Sequence, residues 1–256
     1  MMKKKYWVPA IERADKIINI IAQNPNEYRL IDLSNELDIN KSSLFSSLNT
    51  LETLGWVKKG NDDTYTLGMR MGILSALYFS QFDLISTFSI KSVDAVNKLG
   101  ETVQLSILEG TDIIYLSKKE GSSPVRLATD PGMRLSAHST AMGKVHLSKY
   151  DFKQLEELYS GVILEPRTSK TVTTLEELGK QIEKVNESGF IWEYEEAVEG
   201  FVCVAAPIKN HEDEIIAAVS VTMLASRYEE KREQAELEII DLAKQVSLKA
   251  GYTLSV

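Results

Sequence analysis

The chain has 256 residues, 43% hydrophobic and 26% charged, with a formal net charge of −8 and one cysteine. It is long enough for two cores and has the composition of an ordinary globular protein. No apolar run approaches the roughly 20 residues that span a bilayer, and Glu12, Arg13, Asp15 and Lys16 stand where a signal peptide needs an apolar core. Cys203 alone excludes an intramolecular disulfide and suits a reducing compartment, so a cytoplasmic protein with no membrane contact is expected.

The first predicted helix runs from Pro9 to Gln23, where Ala10, Ile11, Ala14, Ile17, Ile18, Ile21 and Ala22 recur at three- and four-residue spacing. Pro9 suits its first turn, and Asn24-Pro25-Asn26 stops it. Leu30 to Leu37 reads as a short helix and Asp38-Ile39-Asn40 as a turn. Lys41 to Leu54 reads as a second helix, capped by Asn40 and closed by Gly55. Leu44, Leu48, Leu51 and Leu54 form its inward face; Ser42, Ser43, Ser46, Asn49, Thr50 and Thr53 lie opposite. Trp56 to Lys59 and Thr64 to Leu67 then read as two strands about a polar turn. A helix-turn-helix followed by a two-stranded wing holds one helix in the DNA major groove, so double-stranded operator DNA is the expected partner.

Lys41, Ser42, Ser43, Ser46 and Asn49 are the candidate DNA contacts of that helix, with Lys58 and Lys59 of the wing placed to meet phosphate. The plainer alternative is a solvated face on an ordinary helix. Residues 1–70 hold ten Lys/Arg against nine Asp/Glu, a net of +1, while the remainder holds 19 against 28, a net of −9. Charge permits DNA binding without driving it, and two copies of the reader are expected to be needed. Lys3, Lys4 and Lys5 are a candidate flexible arm or merely a solubilising tail.

A helix from Met69 to Phe79 leads straight out of the wing, so the expected organisation is a DNA-binding domain at 1–68, a linker helix at 69–82 and a second domain at 83–256. That second domain opens with a helix over 83–99. Thr102 to Leu108 and Ile113 to Ser117 form a hairpin about Glu109-Gly110-Thr111-Asp112, and Val125 to Ala128 reads as a further strand. Helices are expected from Ser139 to Leu147, from Phe152 to Tyr159 and, behind the capping-box spacing Thr174–Glu177, to Glu187. Strands follow at 189–195, 202–208 and 215–223, then an amphipathic helix over 229–249. The expected class is α+β, an antiparallel sheet backed by helices.

Leu135-Ser136-Ala137-His138-Ser139-Thr140-Ala141-Met142-Gly143-Lys144 resembles the effector-domain signature of the IclR family of bacterial transcriptional regulators. Gly189-Phe190-Ile191-Trp192-Glu193-Tyr194-Glu195-Glu196, running on through Gly200 to Pro207, and Ile216 to Thr222 resemble two more family segments. The resemblance covers nearly the whole chain in the family's order. It implies a GAF-like C-terminal domain that binds a small carboxylate effector, and a homodimer or homotetramer acting as a repressor. It also implies pocket positions at Ala141 and Met142, whose amides would meet a carboxylate, and at Glu193, Cys203, Ser220 and Thr222. Glu193 replaces the family's commoner Asp, and Ser46 stands where an arginine is frequent.

The residues themselves agree in part. Ser220 and Thr222 share one face of a strand while Val219 and Val221 take the other, and Leu127 and Leu135 are expected apolar walls. The bland alternative is that the two hydroxyls satisfy neighbouring backbone. No cofactor, metal site or catalytic constellation is expected: His138 and His146 lack the further ligands a metal needs. The rival readings are a thiol-dependent GAF-like enzyme using Cys203, or a ligand-binding module with an inactive DNA reader.

Overall fold

A computed structural model describes residues 7–79 and 83–253; the Lys3–Lys5 arm and the end of the expected linker, residues 80–82, lie outside them. The chain divides into two compact units, Met1–Gln81 and Phe82–Val256.

In the first unit, α1 (Pro9–Gln23), α2 (Leu30–Glu36) and α3 (Lys41–Thr53) precede a two-stranded sheet of β1 (Val57–Lys59) and β2 (Tyr65–Leu67), and α4 (Met69–Phe79) follows. Ile17, Ile21, Leu33, Leu44, Leu48, Leu51, Val57 and Tyr65 make its core, with at least one contribution from each of α1, α2, α3, β1 and β2. The turn between α2 and α3 is held by Ser34, whose hydroxyl donates to the Ile39 carbonyl at 2.7 Å. Asn40 caps α3 by accepting from the Ser43 N–H at 2.9 Å. Leu54, expected to face inward, is 54% exposed, because α3 ends at Thr53 and the chain reverses at Gly55. Gly68 then passes so close to that reversal that a Cβ would lie 2.1 Å from the Gly55 carbonyl oxygen. This contact fixes where the wing returns to the helix. Helix α4 is apolar yet open: Met69 is 83% exposed, and Ile73, Leu74 and Leu77 are exposed too.

The second unit is built on a six-stranded antiparallel sheet in the order β5-β4-β3-β8-β7-β6. Its strands are β3 (Thr102–Glu109), β4 (Asp112–Lys119), β5 (Arg134–Ser136), β6 (Ile191–Tyr194), β7 (Phe201–Lys209) and β8 (Ile215–Leu224). One face packs α5 (Leu84–Leu99) and α9 (Tyr228–Lys249) through Val103, Leu105, Val204, Ile208, Val219 and Val221. The other packs α6 (Ala141–Leu147), α7 (Phe152–Leu158) and α8 (Leu175–Ser188) through Ile113, Tyr115, Ala205 and Ala218. The period-2 alternation of a strand sorts the two sets. It also sends Gln104, Ser220, Thr222, Cys203 and Glu193 to the α6 side.

Two expectations change here. Val125 to Ala128 is not a strand; the third member of that meander is β5, paired Ile113 with Leu135. Pro124 lacks an N–H for a ladder, and the Ser123 N–H is spent on the Gly100 carbonyl at 2.9 Å, so 121–133 runs as a loop. The helix expected from Ser139 is split into a 3-10 turn, Ala137–Ser139, and α6. Thr140 is extended between them and caps the Gly143 N–H at 3.0 Å.

That split depends on Gly143. A Cβ there would lie 2.1 Å from the Ala137 carbonyl oxygen and 2.3 Å from its Cα. Gly143→Ala is therefore expected to destabilise the second unit by at least ~2 kcal/mol, the upper range for overpacking a tight site. Urea unfolding followed by circular dichroism measures it; an unchanged midpoint would show that the contact relaxes without cost.

Candidate functional site

On α3, Lys41, Ser42, Ser46 and Asn49 are exposed on the side away from the leucine core, whereas Ser43 is half-buried beside the Asn40 cap. Lys58 and Lys59 are exposed on β1, and Lys59 is held in the wing by Asp63 at 2.6 Å. Phe45, which drew no notice in the sequence, is 60% exposed among the polar residues. The signal was available: it lies three residues after Ser42 and four before Asn49, off the leucine stripe.

In the second unit, Leu127, Leu135, Ala141, Met142, Glu193, Cys203, Ser220 and Thr222 all line one cavity. Six separate segments deliver them: the 121–133 loop, β5, α6, β6, β7 and β8. Tyr115, Thr140 and Ala197 complete the lining. The free volume is about 20 Å³, room for roughly one water. The floor is polar and internally bonded. Ser220 and Thr222 both donate to Gln104 Oε1, at 3.1 and 3.0 Å, and Gln104 Nε2 donates to Thr129 Oγ1 at 2.8 Å. Cys203 Sγ lies 3.2 Å from Thr222 Oγ1. Gln104 thus joins the strand floor to the loop that carries Leu127, a role no motif in the sequence announced.

Glu193 closes one side. Its carboxylate does not extend freely into the cavity but accepts from the Glu196 N–H and, at 3.2 Å, from the Ala197 N–H. Burial raises it to about 7, against the lowering pull of the backbone donors and Lys144. Behind it, Lys144 Nζ is fully buried and sits 2.5 Å from Glu196 Oε1. Desolvation lowers the lysine, and the attraction of Glu196 opposes that shift. Burial also pushes the Cys203 thiol well up, with the negative charge of Glu193 adding to it, so a nucleophilic thiolate is disfavoured. His138 Nε2 lies 3.1 Å from the Glu165 carbonyl, and His146 Nε2 lies 3.2 Å from both the Ser106 hydroxyl and its carbonyl. The two rings fall on different elements, one in the 3-10 turn and one in α6. Burial lowers both, His146 to about 4.

The chemistry of this arrangement suits a small polar ligand. The N–H groups of Ala141 and Met142 stand in the first turn of α6, which has no intrahelical acceptors for them. Hydroxyls, a thiol and a carboxyl that titrates near neutrality stand across the space. No described helix is long and apolar enough to cross a membrane.

Comparisons with known proteins cover both units. Residues 10–60 match the IclR helix-turn-helix domain, and residues 76–248 match the C-terminal domain of the bacterial transcriptional regulator IclR. The chain is 28% identical to the HTH-type transcriptional regulator XynR of Escherichia coli K12 over 249 residues, 97% of this chain and 96% of that one. It is 29% identical to the E. coli K12 regulator KdgR over 228 residues, 88% and 87% of the two chains. The crystal structure of the Agobacterium tumefaciens repressor BlcR superposes with a TM-score of 0.80 at 27% identity, covering 96% of this chain and 99% of that one.

Two outcomes are expected from the buried charges. Lys144→Met, which leaves Glu196 buried without its partner, destabilises the fold by about 3–5 kcal/mol, and adding Glu196→Leu recovers most of the loss. If the single variant unfolds at the parent's urea midpoint, the pair is not holding these segments. Glu193 is raised in the fold from 4.5 to about 7. Its contribution is therefore fully present below pH 4.5 and is lost as pH rises through about 7. Glu193→Gln is expected to be the more stable protein at pH 8 by up to about 3 kcal/mol, at ~1.4 kcal/mol per pH unit, with the advantage vanishing near pH 4.5. Parallel pH profiles for the two proteins would contradict the assignment.

Proposed function

The chain belongs to the IclR family of bacterial transcriptional regulators, and on that premise we propose that it is a cytoplasmic repressor released from its operator by a small carboxylate. The DNA reader is residues 1–68, the linker 69–82 and the effector domain 83–256. The observation that carries the ligand half is the cavity itself: eight residues from six separate segments meet around one space. The amides of Ala141 and Met142 would take the carboxylate. Ser220 and Thr222, whose own protons go to Gln104, would accept from a ligand hydroxyl. Glu193, half-protonated near neutrality, would give its proton to a keto oxygen and tolerates an anion by keeping it.

A keto, hydroxy or sugar acid fits that donor and acceptor set. Space for one water does not hold such a molecule, so binding must open the cavity. A ligand that binds only the opened arrangement has the differential affinity that regulation requires. The homodimer is supported by α4, where Met69, Ile73 and Leu77 recur every four residues on an exposed stripe. Exposed Ile90 and Leu237, on α5 and α9, offer apolar surface for a homotetramer. The rival thiol enzyme has against it the raised Cys203 thiol and relatives that are regulators.

The full chain is expected to shift DNA from its own genomic neighbourhood at low salt, and a matching keto, hydroxy or sugar acid to release it. Titration calorimetry with such acids should show binding weakened roughly tenfold by Ser220→Ala, about one lost hydrogen bond. Cys203→Ser should leave the free protein's DNA shift intact. A Ser220→Ala protein that binds the acid normally would move the ligand site elsewhere, and failure on every neighbouring promoter would remove the repressor reading.

A further inference from the structure

The outer face of α3 has a peculiarity that the sequence does not disclose, namely the direction of its hydroxyl protons. Ser46 Oγ donates to the Ser42 carbonyl at 3.0 Å, Thr50 Oγ1 to the Ser46 carbonyl at 2.9 Å and Thr53 Oγ1 to the Asn49 carbonyl at 2.8 Å. Ser42 Oγ donates to the capping Asn40 Oδ1 at 2.9 Å. A hydroxyl has one proton, and each of these is turned back into the helix. What points outward is lone pairs. Phosphate oxygens, guanine N7 and O6 and thymine O4 are themselves acceptors, so these hydroxyls do not complement them. The donors offered by the major groove are the amino groups of adenine and cytosine.

The second observation is Phe45. The inward side of α3 is already filled by Leu44, Leu48 and Leu51, and Phe45 stands 60% exposed on the same outward face as Ser42, Ser46 and Asn49. The apolar feature of the major groove is the thymine methyl. Asn49 carries both a donor and an acceptor, the pair that matches adenine N7 and N6. From Ser42 to Val57 the chain has no lysine or arginine and one acid, Glu52, so past Lys41 at its start the helix has no cation to seek guanine or phosphate.

We propose that α3 reads its operator through the uncharged face from Ser42 to Asn49: Ser42 and Ser46 accept from adenine or cytosine amino groups, Asn49 pairs with adenine, and Phe45 packs on a thymine methyl. The inference rests on α3 being the recognition helix, and it adds the bases that helix selects. Ser42 and Ser46 do not select guanine in this arrangement, and Lys41, Lys58 and Lys59 supply position rather than sequence.

The test selects duplexes from a random pool with the full-length protein at low salt. Affinities are then measured for the enriched duplex and for copies with single atomic changes. Thymine→uracil removes one methyl; at the position under Phe45 it should weaken binding about fourfold, the equivalent of one buried CH₂. Adenine→purine removes the amino group and should cost about tenfold at the Asn49 position. Phe45→Ala should be indifferent to the uracil change and Asn49→Ala to the purine change; both side chains are exposed, and thermal unfolding checks that each variant folds. A uracil penalty that persists in Phe45→Ala, or enriched sites whose essential contacts are guanine N7 and O6, would overturn the assignment while leaving the protein a DNA binder. Retention of no duplex from the pool would remove both the assignment and the DNA reading beneath it.

Discussion

The buried pair of Lys144 and Glu196 is the constraint on which the second unit's cavity depends. An ammonium and a carboxylate taken out of water cost several kcal/mol each unless they face one another with their remaining sites satisfied. Here Glu196 also accepts from the Val172 N–H at 3.3 Å, and its carbonyl accepts the Thr171 hydroxyl at 2.6 Å. One ion pair therefore anchors α6, the turn after β6 and the 168–172 segment to a common point. Glu193, three residues from Glu196, is brought against the cavity by the same turn. Its carboxylate is folded onto backbone N–H groups and loses charge through burial, not through any partner of like sign alone.

Around that point the polar groups form a chain in which each donor has a taker. Ser220 and Thr222 give their protons to Gln104, Gln104 gives its own to Thr129, and the thiol of Cys203 meets Thr222. Such a network inside an apolar sheet face is stable only while complete. It also has a direction: it runs from the centre of the sheet to the 121–133 loop. The closeness of Gly143 to Ala137 sets the start of α6 over one end of this floor. The position of the first-turn amides is thus decided by backbone packing as much as by the cap at Thr140.

Much of this was legible in the sequence because it rests on periodicity and on motifs that keep their spacing. The alternation in β8 already separates Ser220 and Thr222 from Val219 and Val221, and the heptad-like leucines of α3 already give its inward side. Leu54 escaped because the helix ends one residue earlier than its apolar pattern. Val125 to Ala128 has strand composition, but Pro124 and the bond from Ser123 to Gly100 take that segment out of the ladder. Gln104 and Tyr115 were missed because one polar or aromatic residue in a strand carries no label of its partner. Lys144 and Glu196 stand in the quoted motifs, yet only the folded chain puts them within 2.5 Å. The direction of a hydroxyl proton has no sequence signal at all.

The tightness of the cavity has a consequence in time. A space for a single water admits no larger molecule by diffusion alone, so any ligand must wait for the 121–133 loop or its neighbours to part. If the effector seats here, as proposed, association saturates: at high ligand concentration its rate becomes the opening rate of the protein, independent of how much ligand is added. The same closure that slows entry slows escape, so a bound molecule outlasts brief dips in its supply. What the closed floor and the anchored helix set, beyond affinity, is a clock.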